Sequence, residues 1–152
     1  MSKSIDQWLD AYGESHQNKV NKTIHWICVP TITWTVIALL WDVSFAGNEW
    51  FNLGTLFIIG ALLFYSRLSV SLTIGMAVFA TFCVLFIQWH QVITDIALWK
   101  TALSLFVIAW IGQFIGHKVE GKKPSFFQDL QFLLIGPAWL LSFLYKRVGV
   151  PI

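Results

Sequence analysis

Four histidines, His16, His25, His90 and His117, are the residues of this 152-residue chain best suited to chemistry. Neutral imidazole is the commonest protein ligand for transition metals. His16 and His25 lie at the head of the first long apolar stretch, His117 closes the fourth, and His90 ends the third. If those stretches cross a bilayer, His16, His25 and His117 fall at one face and His90 about a membrane thickness away. Three imidazoles on one face are what a metal site requires. Spacing adds detail. Glu14, Asn18, Asn21 and His25 recur at i, i+4, i+7 and i+11, one stripe of a 3.6-residue helix. His16 lies off that stripe, so it can share an ion with His25 only if the chain bends, and Gly13 permits a bend close by. Gln113, His117 and Glu120 fall at i, i+4 and i+7, so His117 and Glu120 can present an imidazole and a carboxylate to one ion if the helix continues past Gly116. Two or three His with one carboxylate and open positions suit non-haem Fe(II).

Each of these residues also has a plainer reading. A lone interfacial His is more often a snorkelling or hydrogen-bonded side chain than a ligand. Asn18 and Asn21 can cap a helix or bond carbonyls. Glu120 can be a solvated charge beside Lys122 and Lys123. The convergence of three of the four histidines on one face favours the metal reading. No glycine-rich phosphate loop, Ser-His-Asp order or CxxC pair is present.

The elements that must hold these residues are apolar. The chain is 57% hydrophobic, 16% aromatic and only 12% charged, against about 25% charged in an average soluble domain. A small soluble fold has too much surface for its volume to hide such a composition. The excess must face lipid, which also excludes disorder, a collagen-like fibre and a nucleic-acid arm. Five stretches approach membrane-helix length: Ile24–Val43, Phe51–Ser66, Leu68–Trp89, Ile96–Gly116 and Phe132–Tyr145. Lys3, Lys19 and Lys22 place the N-terminal segment inside, as do Arg67 and the basic loop His117–Gln128 for their turns. The loop Asp42–Trp50 carries acids and no base, and lies outside. Four spans satisfy the charges. The fifth stretch is short, is broken by Gly136-Pro137 and ends in Lys146-Arg147, which predicts a re-entrant or interfacial helix on the cytoplasmic side. Ahead of the first span, Ser4 is a plausible cap for an amphipathic helix beginning near Ile5, with Trp8, Leu9 and Tyr12 on its apolar face. The polar N-terminus has no apolar signal-peptide core. Cys28 and Cys83 sit in apolar runs and should be buried thiols. The expected fold is therefore an all-α polytopic membrane helix bundle forming a single integral membrane domain over residues 1–152: four transmembrane helices, an N-terminal amphipathic helix and a C-terminal re-entrant or interfacial helix.

The segment from His16 to Pro30 reads HxNxxNxxIHxxxxP through Asn18, Asn21, Ile24 and His25, and a second segment reads QFxGH from Gln113 to His117. Followed by Glu120, Pro124, Asp129 and Gly136-Pro137, this pair of signatures resembles the small Mpo-like membrane-protein family, whose characterised fungal member is an endoplasmic-reticulum dioxygenase of 2-hydroxy fatty acids. The pair is more specific than either half, and the intervening helices match in hydropathy alone.

The resemblance implies an Fe(II)-dependent dioxygenase that performs α-oxidation, shortening a long-chain 2-hydroxy fatty acid by one carbon with O2. It maps the family histidines onto His16, His25 and His117 as catalytic metal ligands. Glu120 is a further candidate ligand of the non-haem iron, whose nuclearity stays open. Asn18, Asn21, Gln113 and Lys118 are candidates to contact substrate or orient the ligands. Lys118, Lys122 and Lys123 can attract an anionic head group. The expected setting is an integral membrane protein with a cytoplasmic active face, in the bacterial inner membrane if the chain is prokaryotic and the endoplasmic reticulum if eukaryotic. Its partners are the lipid bilayer and the fatty-acid substrate; nucleic acid is not among them, and homo-oligomerisation stays open. Three rival readings compete with this one. A non-catalytic scaffold breaks no physical rule but leaves the trio unexplained. A small transporter subunit needs ionisable groups deep in its spans, and these are missing. A haem protein using His25 and His90 needs both on one side.

Overall fold

The computed structural model describes residues 4–45, 48–121 and 132–152. Among them it forms six helices and one short hairpin: α1 Ile5–Gly13, α2 Lys19–Trp41, β1 Ser44–Phe45, β2 Asn48–Asn52, α3 Leu53–Ser66, α4 Val70–Ile93, α5 Leu98–Glu120 and α6 Ile135–Val148. Lys122, Lys123, Pro124 and Asp129 of the sequence reading, and Lys3, lie outside the described residues.

Three helices, α2, α4 and α5, are long and apolar enough to cross a membrane. At ~1.5 Å per residue each extends ~35 Å, against a hydrocarbon core of ~30 Å. The fourth apolar helix, α3, has 14 residues and reaches only ~21 Å. It starts two residues later than its apolar stretch because Phe51 and Asn52 belong to the hairpin, which hydropathy alone does not reveal. Asn52 then caps the helix, its side chain accepting from Thr55 N at 2.8 Å. The long helices are two-sided. On α4, Leu72, Met76, Cys83, Ile87 and His90 are buried, while Ile74, Val78, Phe82, Leu85 and Trp89 form an exposed apolar stripe. Such a stripe is stable against hydrocarbon and unstable against water. Both cysteines are buried and unbonded to one another.

Close packing of α2 on α5 follows from two glycines one turn apart. A Cβ on Gly112 would stand 2.7 Å from Cys28 Sγ, and one on Gly116 would collide with Asn21 Oδ1. This is the small-xxx-small pattern that lets membrane helices approach. Because the two helices run antiparallel, the start of α2 lies beside the end of α5.

The C-terminal helix differs in one respect from expectation. Gly136-Pro137 does not break it; the helix starts at Ile135, so Pro137 occupies the first turn, where its missing N–H costs nothing. Both ends of α6 are held near the short α3–α4 turn. Tyr65 Oη donates to Leu134 O at 2.5 Å, and Tyr145 Oη donates to Ser71 O at 2.7 Å. Pro151 O in turn accepts from Ser71 Oγ at 2.6 Å. The amphipathic α1 packs on α6, with Ile5, Leu9 and Tyr12 in a core shared with Ile135, Ala138, Trp139 and Leu140. A capping box of Ser4 and Gln7 starts α1 as the sequence suggests.

Candidate metal centre

The stripe from Glu14 to His25 is not a single helix. α1 ends at Gly13 and α2 begins at Lys19, and the intervening turn redirects the chain. Asn18 terminates that turn as the cap of α2, its side chain accepting from Val20 N at 2.8 Å and Asn21 N at 3.4 Å. Glu14 is exposed. The bend carries His16, which a continuous helix would have pointed elsewhere, onto the face that also presents His25.

His16, His25 and His117 are all buried, and one ligand nitrogen from each lies within 4.8 Å of the others. Their ring centroids are 4.2 Å (His16–His25), 5.1 Å (His25–His117) and 5.4 Å (His16–His117) apart. Two tautomers follow from the backbone. His16 Nδ1 lies 2.6 Å from Tyr12 O, and His25 Nδ1 lies 2.9 Å from Asn21 O. A carbonyl only accepts, so each Nδ1 carries the proton and each Nε2 keeps a lone pair. His16 Nε2 is buried with no hydrogen-bond partner among the described residues. Burial holds the His16 imidazolium down to a pKa of about 4, opposed by the Tyr12 carbonyl and reinforced by nearby His117. A neutral, buried, oriented imidazole with an unspent lone pair is the donor a transition metal needs. The residues fit a metal.

Glu120 is placed differently. Its carboxylate accepts from Gln17 N at 2.8 Å, Asn18 N at 2.9 Å and Asn21 Nδ2 at 3.0 Å. It therefore grips the turn that delivers His16, and it is not among the residues whose donor atoms cluster. Asn21 is the hub of the arrangement. Fully buried, it accepts from His25 through its backbone carbonyl and donates through Nδ2 to Ser15 O (3.1 Å) and Glu120. Gln113 is buried one turn before His117, and Lys118 is exposed beside it. His90 stands at the far end of α4, its Nε2 2.9 Å from Thr101 Oγ1. Residues 101 and 117 are ~24 Å apart along α5, so His90 has no part in the cluster.

Four further residues shape the site without standing out in the sequence. Tyr12 stacks on His16 with centroids 4.1 Å apart and planes at 14°, and Trp139 sits 5.3 Å from the same ring. Tyr12 was legible only as an apolar-face residue, although its i−4 spacing from His16 signals the contact. Gly112 and Gly116 set the distance between His25 and His117, and their i, i+4 spacing was the available signal.

Residues 2–148 match the family described as 2-hydroxy-palmitic acid dioxygenase Mpo1-like. The 2-hydroxy-palmitic acid dioxygenase MPO1 of Saccharomyces cerevisiae is 31% identical to this chain over 146 residues, which cover 94% of the chain and 81% of the relative. No solved structure matches it.

Proposed function

This chain belongs to the Mpo1-like family, and from that membership together with its histidine cluster we propose that it is an Fe(II)-dependent dioxygenase that shortens a long-chain 2-hydroxy fatty acid by one carbon. A dioxygenase and a hydroxylated fatty-acid substrate are what the relative's name supports. The observation that carries the metal is the convergence of three buried imidazoles from two helices and a turn.

In this reading His16, His25 and His117 hold the ion, and the tied Nδ1 atoms of His16 and His25 fix the orientation of those two rings. Iron(II) supplies the ability to bind and reduce dioxygen, which no side chain here can do. Glu120 acts as a clamp on the His16 turn, with Asn18 and Asn21 completing that scaffold. Lys118, exposed at the same end, draws the carboxylate toward the site. Gln113 faces the substrate from one turn deeper. Carboxylate and 2-hydroxyl give this substrate class two adjacent oxygens to orient, while its tail is miscible with the bundle and the lipid.

The topology that suits this chemistry has α2, α3, α4 and α5 crossing the membrane, both termini and the histidines at the cytoplasmic face, and α6 lying at that interface. The tethering of both α6 ends to residues 65 and 71 supports the last point. The host membrane is the bacterial inner membrane or the endoplasmic reticulum, according to source, and self-association is compatible with the exposed apolar stripes.

Detergent-purified protein should contain iron, and with O2 it should convert 2-hydroxypalmitic acid to a product one carbon shorter by mass spectrometry. Alanine at His16, His25 or His117 should abolish both iron and product. Equal turnover without iron would refute the cofactor, and no shortening would refute the reaction. Labelling of cysteines introduced near residues 45 and 118 should report opposite membrane sides.

A further inference from the structure

Beneath the histidines lies a cavity of about 20 Å³, room for a single water-sized group. Its walls include Tyr12, Val29, Thr33, Trp110, Gln113 and Gly136. Helical register fixes where it is. Val29 follows His25 by four residues on α2, and Gln113 precedes His117 by four on the antiparallel α5. Both are therefore one turn, ~6 Å, further into the bundle than the histidines. Tyr12, the third wall, is the residue stacked on His16.

Gln113 is the unexplained member. Its side chain is only 5% exposed, yet it makes no hydrogen bond to a described residue. Its amide lines the cavity with hydrogen-bonding capacity that no described residue uses, so a polar guest there gains bonds that an apolar one cannot make. The guest is constrained in two ways. None of the described lining residues is charged, so among them a carboxylate finds no counter-ion. The space is of the order of one water, which a hydroxyl matches more closely than a carboxylate. A neutral hydroxyl meets both conditions, since Gln113 offers an acceptor in Oε1 and donors in Nε2. Thr33 already donates to Val29 O at 3.0 Å, so its oxygen can only accept.

Resting on the reaction proposed above, we infer that this cavity seats the 2-hydroxyl of the substrate and that Gln113 is the residue that selects it. The carboxylate and the acyl tail then stay outside the cavity, the carboxylate toward the Lys118 end. A site built to bond a hydroxyl rejects the analogue that lacks it, because its own polar group is left without a partner.

The test is competitive displacement of a fluorescent fatty-acid probe from the detergent-purified full chain, comparing 2-hydroxypalmitic with palmitic acid, both iron-loaded and after chelation. Wild type should prefer the hydroxy acid by about tenfold or more in both states. Gln113→Met should bring the chelated preference to within about twofold, with palmitic acid affinity and iron content unchanged. Gly136→Ala is an independent arm that removes no polar group. Its Cβ would stand 3.1 Å from Val29 Cγ1 and 3.2 Å from Tyr12 Oη, narrowing the cavity, and the preference should fall likewise. It carries the test alone if Gln113→Met loses its helical circular dichroism. A preference that vanishes on chelation in wild type, or that survives both substitutions, would overturn the inference, leaving the cavity a water site. Failure of the underlying reaction would show separately, as wild-type protein without iron or without a shortened product.

Discussion

Replacing Glu120 by alanine separates two roles that its sequence position allows. As a clamp, its carboxylate accepts three hydrogen bonds, at 2.8, 2.9 and 3.0 Å, from Gln17 N, Asn18 N and Asn21 Nδ2. Bonds to a charged group are worth ~1.5–3 kcal/mol each when well buried; this one is partly exposed, and ~1 kcal/mol each is the better figure. About 3 kcal/mol of the free energy holding the His16 turn closed is thus at stake. An ion that binds only the closed turn loses affinity in proportion to the closed population, at tenfold per ~1.4 kcal/mol, so iron(II) affinity should weaken by at least about tenfold and at most about 140-fold. Loss of a partner that orients ligands falls in the same range. The assay is competition against a chelator of known affinity, paired with hydrogen exchange of the metal-free protein. In Glu120→Ala the amides of Gln17 and Asn18 should lose protection even without metal. Glu120→Gln should lie between, because its amide oxygen replaces one acceptor while its NH2 faces a donor. Weakened iron binding with both amides still protected in the metal-free protein would refute the clamp and make Glu120 a ligand.

Gly116→Ala should lower thermal stability by about 1–3 kcal/mol and reduce iron content, because the new Cβ collides with Asn21 Oδ1. Gly60→Ala, whose Cβ meets nothing within 4 Å, is its neutral control in the same melts. Metal-free protein should lose stability as pH falls from 6.5 toward 4: the unfolded His16 takes up its proton near 6.5, the folded one resists until about 4, and the stability present above 6.5 drains away between the two. The loss should be about 2–3 kcal/mol by chemical denaturation, and His16→Phe, which keeps an aromatic ring against Tyr12, should flatten it. His90→Ala should leave iron content unchanged and cost about 1 kcal/mol through the lost Thr101 contact.

Several features were decided by residue type and spacing alone. The helical class, the long apolar helices and the helix starting after Ser4 follow from composition and periodicity, because hydrocarbon leaves a backbone few ways to satisfy its own hydrogen bonds. The sorting of His16, His25 and His117 from His90 is likewise legible, since ~1.5 Å per residue converts sequence distance into depth. The paired signatures around His25 and His117 pointed to the family that the whole-chain match shows. The hairpin Ser44–Asn52 was not legible, because pairing over so few residues is a tertiary choice rather than a hydropathy signal. Nor was the role of Glu120. Its spacing from His117 matches a shared ligand face, but its three donors come from residues about a hundred positions earlier in the chain. The cavity at Gln113 needed α2, α5 and α6 assembled before it existed. Local spacing states which side chains share a helix face; what occupies the other side of that face depends on a chain bend and two glycines that bring distant segments into contact.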